Sequence, residues 1–445
     1  MEDREQRARR GADEPLVALL PWGFAIEDFL DPNGLTIDTF CESFRGSWMF
    51  SYADALRTVG VETLFVCFSR TLKGVTRRSH VPTGAGILFL PLPRAYRSVM
   101  GVARDPYGRT VRQMFGRKAL PVAPLLAPAK ELLPYLSTPV RLLARELRRE
   151  GVASVLCQEY EFPRFDVCVL SKPVHGFRVF GVYQGGDYRR WRLERLVRPR
   201  AIRGCDGLIV GPSAEAERVA RVYGPAATKV ARILNPVDVE VFRPIDRRAA
   251  RERLRLSPTA RIAVWHGRVQ LPKKGLDVLL KAWAELGREH GTAESVLLLV
   301  GGGEDASRVE AEIRRCGFDN VVFVNRMIHD PHELRTYLGA ADVYVIPSRH
   351  EGFAVAPIEA MACGLPVVAS DAGGMIDIVG SGAEGAGIVV RREDPVALAA
   401  ALHELLADVA RSESLGAIAR RRAVDEFSLE VAGAALRSFL LADGR

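Results

Sequence analysis

From Leu16 onward the chain alternates short apolar runs, rich in β-branched and aromatic residues, with longer stretches whose apolar positions recur at helical spacing. A strand hidden on both faces reads as an unbroken apolar run, so this alternation predicts parallel sheets covered by helices. In the first half the runs are LVALLP from Leu16, TLFVCF from Thr63, GILFLPL from Gly86, SVLCQ from Ser154, FRVFGVY from Phe177 and GLIVG from Gly207. The last two bracket a predicted helix, RRWRLERLVRPRAIRGC. A second series begins with RIAVWHG from Arg261 and continues through SVLLLVGGG, NVVFVN, DVYVIPS, LPVVAS and AGIVV. Two such series imply two similar α/β domains.

Between the series, ILNPVDVEVFRPIDRRAARERLRL places Asn235, Pro236 and Pro244 where regular structure breaks before a charged helix. The division is set there. Residues 1–14 are expected to be a disordered tail, 15–240 a first Rossmann-like domain, 241–427 a second, and 428–445 a C-terminal helix packing back toward the first. Open sheets of this kind bind ligands beyond the C-terminal ends of their strands, so a cleft between two such edges is where chemistry is expected.

Composition narrows the class. A chain of 445 residues exceeds one ordinary core, and 48% hydrophobic with 26% charged residues describes a folded protein, not a disordered or fibrous one. The net charge of +8 favours acidic partners: nucleic acid, an anionic lipid surface or phosphorylated small molecules. Seven scattered cysteines form no CxxC pair, which argues for free thiols over a zinc or redox site. The N-terminus mixes charges of both signs before the short LVALLPW run, unlike a secretory signal, and no apolar stretch reaches about 18 residues. A cytoplasmic location is expected, with membrane contact confined to the periphery of the inner face.

The densest chemistry lies in RHEGFAVAPIEAMACGLPVVAS, from Arg349 to Ser370. DVYVIPS should be a buried strand, RHEGF the loop after it, and Pro357 the first turn of a helix, where its missing N–H would be unpaired anyway. Glu351 and Glu359 then both stand at a strand's C-terminal edge. A carboxylate offers two acceptor oxygens to the vicinal hydroxyls of a ribose, so Glu359 can hold a nucleotide by its sugar. Gly352 lets the backbone approach closely, leaving Glu351 and the amides of Phe353, Ala354 and Val355 facing a reacting group. The plainer reading of Glu359 is a carboxylate that favours a helix dipole. In HGRVQLPKKGLDVLLKAW, Arg268 and Lys274 lie on a glycine-bounded loop that starts at Gly267; two cations at that edge can neutralise a leaving diphosphate. Gly301, Gly302 and Gly303 mark another strand end with room for a base or phosphate.

Taken together, HGRVQLPKKGLDVLL, LLLVGGGED, EGFAVAPIE and AMACGLPVVASDAGG closely resemble the retaining nucleotide-sugar glycosyltransferases of family 4, which have the GT-B fold. The resemblance extends more weakly into the first half through LERLVRPRAIRGCDGLIVGPSAEAERV and ILNPVDVEVFRP. It implies that Arg268 and Lys274 contact the donor diphosphate, Glu359 the ribose and Glu351 the donor sugar, with Gly267, Gly302, Gly303, Gly352, Phe353, Ala354 and Val355 around the donor. It implies a nucleotide-diphosphate sugar as donor, a carbohydrate or lipid-linked acceptor bound by the first domain, retention of configuration, and neither cofactor nor metal. The chain also lacks the Asp-x-Asp pair that holds manganese in other transferases. Three departures stand out. Pro236 replaces the glycine of Asn-Gly-Val-Asp; Met375, Ile376 and Asp377 follow Gly373 and Gly374 where Gly-Gly-x-Pro-Glu is common; and Gln184 stands where many members have a histidine. Gln184 can bond a sugar hydroxyl but cannot titrate near neutrality.

For the acceptor, Gly23 and Gln184 are the candidates, with Glu27 and Asp28 either lining that site or lying on a solvated loop. Glu159 and Glu161 follow a strand and read equally as a charged helix start. The stretch PRAYRSVMGVARDPYGRTVRQMFGRK carries Arg94, Arg97, Arg104, Arg109, Arg112, Arg117 and Lys118 against Asp105, with Tyr96, Tyr107 and Phe115 interleaved. It reads either as a solvated basic loop or as a surface for anionic membrane. Nucleic acid is not expected, since no groove-reading or RNA-binding motif accompanies the charge. His329 and His332 in HDPHEL have no third ligand nearby. A nicotinamide enzyme is disfavoured by Ala306 in the last glycine position of the fingerprint, and a glycosidase using Glu351 and Glu359 by the neighbouring cations. An NDP-sugar epimerase of the same fold and a non-catalytic sugar-nucleotide-binding protein are the alternatives to the glycosyltransferase.

Overall fold

The computed structural model describes residues 14–21, 23–45, 48–100, 105, 107–108, 110–117, 121, 123–185, 192–224, 229–290 and 294–442. The charged tail 1–13 and Arg104, Arg109 and Lys118 fall outside them. Among the described residues the first sheet comprises β1 (Leu16–Leu20), β2 (Glu62–Ser69), β3 (Thr76–Ser79), β4 (Gly86–Pro91), β5 (Val152–Gln158), β6 (Arg178–Val182), β7 (Gly207–Ile209) and β8 (Val230–Ala231). Their order is β3-β4-β2-β1-β5-β6-β7-β8, parallel except for the β3–β4 pair. The second sheet comprises β9 (Arg261–His266), β10 (Ser295–Val300), β11 (Val321–Val324), β12 (Val343–Ile346), β13 (Val367–Ser370) and β14 (Gly387–Val390), in the order β11-β10-β9-β12-β13-β14 and wholly parallel.

The apolar runs became strands because helices cover both faces of each sheet. β12 is the clearest case, with Val343, Tyr344 and Val345 fully buried and Ile346 nearly so. Each domain has two cores, one on either side of its sheet. In the second sheet the strand order reverses between β9 and β12, and in the first between β1 and β5. Crevices open at such reversals, beyond the strand C-termini, so the geometry places candidate chemistry after His266 and Ile346.

The chain passes between the domains twice. Ile233 packs in a core of the first, and Val237, Val239 and Phe242 pack in a core of the second. The return passage follows the long helix Val409–Phe427: the Val237 N–H donates to the Phe427 carbonyl at 2.8 Å, and Val237 pairs with Ser428. Ser428 then caps the helix Leu429–Leu441, whose apolar stripe of Ala432, Leu436 and Leu440 joins the first domain's core. Gly433 has no alternative there, because a Cβ would lie 2.1 Å from the Ala55 carbonyl oxygen of the helix Trp48–Thr58.

Candidate functional site

β9 ends at His266, and Gly267 turns the chain at φ 146°, a conformation other residues rarely adopt. Gln270 accepts the first bonds of a one-turn helix, Leu271–Lys274, which Gly275 closes in the left-handed region at φ 64°. Lys274 thus sits at the end of a helical turn, whereas the sequence pattern predicts a glycine-bounded loop there. The turn is pressed against the end of β12: a Cβ on Gly275 would lie 2.2 Å from the Pro347 carbonyl oxygen. The Arg349 N–H donates to the Lys273 carbonyl at 2.8 Å, and the Arg349 guanidinium bonds both oxygens of Asp277 at 2.7 Å. This lattice fixes two loops from adjacent strands as one unit.

Two carboxylates sit on that unit, and each has a basic partner. Glu351 is buried; its Oε1 accepts from Lys274 Nζ at 2.7 Å and from Ser348 Oγ at 2.6 Å. Glu359, in the first turn of the helix Ala356–Ala362, bonds His266 Nε2 at 2.8 Å through Oε2. Among the described residues Oε1 of Glu359 has no partner, so one oxygen stays available to a hydroxyl instead of two. His266 is buried, and its Nδ1 makes no hydrogen bond among the described residues. Arg268 reaches across the cleft, with one nitrogen 3.4 Å from Asn33 Oδ1 of the first domain.

The glycines do different work from that expected. A Cβ on Gly352 would lie 2.4 Å from the Gln184 carbonyl, and one on Gly185 would lie 2.8 Å from the Gly352 Cα. Gly352 therefore lets the two domains' backbones meet. Gly301 and Gly303 pack on the turn after β9, where Cβ atoms would stand 1.9 Å from the Gly267 oxygen and 2.4 Å from the Val269 oxygen. At Gly302 the space is ordinary, with the nearest atoms 3.5 Å away on Arg326 and Met327.

On the first domain, Gly23 turns at φ 99° after β1, and the Phe24 N–H donates to the Tyr107 hydroxyl at 2.9 Å. The guanidinium of buried Arg164 binds the carbonyls of Pro21, Gly23 and Phe24. A cavity of about 340 Å³ lies between the domains, lined by Gly23, Gln184, Asn235, Arg268, Phe353 and Val355 among others. Gln184 and Asn235 form a two-way amide pair at 2.9 Å in each direction, and Asn235 also donates to the Phe353 carbonyl at 2.8 Å. Gln184 is thereby held by the linker. Glu27 and Asp28 part ways: Glu27 is buried and accepts from the Arg70 and Thr71 backbone and from Ser69 and Thr71 hydroxyls, whereas Asp28 lines the cavity. Neither lies on a solvated loop.

Two groups that the sequence treated lightly sit close by. Glu159 follows β5 with a left-handed backbone at φ 58°, unusual outside glycine, and its Oε2 accepts the Gln184 N–H at 3.1 Å. Its Oε1 is buried without a partner among the described residues. Burial, reinforced by the Glu161 charge, pushes this carboxyl up to about 8. In the basic stretch Tyr96 is core and Tyr107 stacks on Phe24 at 4.9 Å, so these aromatics face inward, while Arg94, Arg112 and Arg117 are exposed. The His329 ring lies 5.6 Å from Phe44 across the cleft, and His332 is exposed. Among the described residues no group of three metal-ligating side chains occurs, and no helix is long and apolar enough to cross a membrane. All seven cysteines are free, five of them buried.

Residues 260–408 match the family described as Glycosyl transferases group 1. Over 214 residues the chain is 37% identical to D-inositol 3-phosphate glycosyltransferase 2 of Catenulispora acidiphila, covering 46% of this chain and 49% of that protein. The chain spans about half the length of the curated relatives it matches. Solved structures match over nearly its whole length. Sucrose-phosphate synthase from Thermosynechococcus elongatus has a TM-score of 0.67 at 22% identity, covering 97% of this chain and 100% of that one. Anabaena Alr3699/HepE in complex with UDP has 0.67 at 15%, covering 96% and 100%. The fold is GT-B.

Proposed function

We propose that this chain, whose second domain belongs to the group 1 glycosyl transferases, moves a sugar from a nucleotide-diphosphate donor to a hydroxyl of a carbohydrate or lipid-linked acceptor, with retention at the anomeric carbon. One observation carries the reading: at the strand-order reversal of the second sheet, Lys274 is seated on Glu351 and His266 on Glu359, with Arg268 at the mouth of the same cleft. Positive charge and hydrogen-bond acceptors are thus provided side by side, as a diphosphate joined to a ribose requires. That the relative from Catenulispora acidiphila is named a glycosyltransferase and HepE was solved with UDP supports the same donor class.

In this reading Lys274 and Arg268 meet the negative charge that grows on the departing diphosphate, a contact stronger in the transition state than in the ground state. Glu351 holds the ammonium in place and faces the donor sugar, with the Phe353, Ala354 and Val355 segment beside it. Oε1 of Glu359 accepts a ribose hydroxyl while His266 fixes the carboxylate's orientation. The two cations supply the charge that a divalent metal supplies elsewhere, so turnover should persist in excess chelator. Exposed Arg94, Arg112 and Arg117 support peripheral contact with an anionic membrane, read out by cosedimentation with vesicles of differing anionic lipid content.

A saturation-transfer NMR screen of UDP-, GDP- and ADP-sugars tests the donor assignment, followed by nucleoside-diphosphate release with and without acceptors. Binding of none of these donors would end the proposal. An epimerase would convert the donor without an acceptor, and a binding protein would hold it without turnover.

A further inference from the structure

After β1 the first domain folds into short helices, Glu27–Leu30 and Ile37–Glu42, before the helix Trp48–Thr58. Their apolar faces converge. The rings of Phe29 and Phe44 meet edge to face at 5.5 Å, Phe40 and Phe44 stack at 5.7 Å, and Ile26 and Met49 complete one wall of the 340 Å³ cavity. The opposite wall is Arg268, Phe353 and Val355 of the second domain. The wall of Phe29, Phe40, Phe44 and Met49 has no part in the donor site described above, yet it opens onto the same space.

Charge decides what fits. Among the described lining residues only Asp28 and Arg268 are ionic. Arg268 is assigned to the donor diphosphate. Asp28 accepts from the Tyr107 hydroxyl at 2.8 Å and pairs with Arg70, but it remains a carboxylate on the cavity wall. An anionic acceptor would lose its hydration there with no unassigned cation among the described lining residues to replace it, a placement that is costly inside a protein. An apolar group would gain by leaving water for four apolar side chains.

We infer that the acceptor is uncharged and carries its reacting hydroxyl on a sugar whose aglycone is apolar, the aglycone packing on Phe29, Phe40, Phe44 and Met49. This rests on the glycosyltransferase reading and specifies its second substrate. The acceptor oxygen forms a bond to the anomeric carbon, the bond from that carbon to the diphosphate oxygen breaks, and the hydroxyl proton leaves with the nucleoside diphosphate. At about 340 Å³ the cavity is at the small end of the range for ligand sites, enough for a sugar and the first part of its aglycone.

The test compares phenyl and octyl glucosides with glucose and D-inositol 3-phosphate as acceptors, using whichever sugar nucleotide the donor screen selects. Both nucleoside-diphosphate release and saturation transfer to the acceptor in the presence of the nucleoside diphosphate are read. The apolar glucosides should bind, and should exceed D-inositol 3-phosphate at least tenfold in kcat/KM or affinity. Phe29→Ala should cut that preference about tenfold or more, and Phe44→Leu should cut it less. Donor affinity measured on the same variants reports that they are folded. Equal or better use of D-inositol 3-phosphate, absence of binding by either apolar glucoside, or an unchanged preference in both variants overturns the inference. A flat donor titration instead overturns the underlying function.

Discussion

Replacing Glu159 by Gln isolates the cost of a buried carboxylate. The side chain is half-buried, but Oε1 is shut away from solvent without a partner among the described residues; this favours the protonated form, although Oε2 accepts the Gln184 N–H. Burial first, then the charge of Glu161 and more weakly Glu215, pushes the group up to about 8 from its ordinary 4.5, with the Gln184 N–H and then Arg198 acting the other way. Below about 4.5 the folded and unfolded chains both hold the proton. Between that value and about 8 only the folded chain holds it, so stability falls as pH rises, and above 8 the folded state bears the whole cost. At about 1.4 kcal/mol per pH unit the window is worth on the order of 5 kcal/mol. Glu159→Gln keeps the acceptor oxygen and removes the titration. Urea midpoints of wild type and variant, measured together from pH 5 to pH 9, should diverge steadily in the variant's favour up to about pH 8 and then run parallel. Groups that titrate in both proteins cancel in that difference. Parallel curves throughout would show that Glu159 ionises freely in the folded protein, and the account of its burial would be wrong.

Other substitutions test the site. Lys274→Ala should lower kcat about 10²- to 10³-fold while leaving the protein folded, and a smaller loss than tenfold in steady-state assays would remove Lys274 from the diphosphate. Glu359→Ala should weaken nucleotide-sugar affinity about 10- to 100-fold by titration calorimetry, the worth of one hydrogen bond to a charged group; unchanged affinity would leave the carboxylate as a partner for His266 alone. Gly352→Ala places a methyl 2.4 Å from the Gln184 carbonyl, so the domains must part. Small-angle scattering should show a larger radius of gyration with secondary structure retained, and wild-type dimensions together with full activity would contradict the close approach.

The large strands were legible because burial on both faces leaves an unbroken apolar signature, as in DVYVIPS and RIAVWHG. β3, with the sequence TRRS, and the two-residue β8 were not, since an edge strand needs neither length nor apolar character. Arg268, Lys274, Glu351 and Glu359 were readable as a group because strand ends converge in this topology. Their pairing was not. Lys274 meets Glu351 across 77 residues, His266 meets Glu359 across 93, and His266 received no role beside its more conspicuous neighbours. Glycine was read as access for a ligand, but at Gly352, Gly301 and Gly303 it admits another stretch of backbone; the residue type signals close approach without naming what approaches. Glu159 misled for a different reason, because a carboxylate after a strand is ordinarily solvated and only the assembled fold shuts one of its oxygens away from water.

The two interdomain passages lie side by side, joined at Val237 and Ser428. Mechanically the protein is a book with one spine: the covers can swing, but shear between them would have to tear the seam. Proteolytic nicking of either strand of that seam would leave the halves bound by the other, so a clipped sample should run as two fragments in denaturant and as one particle without it.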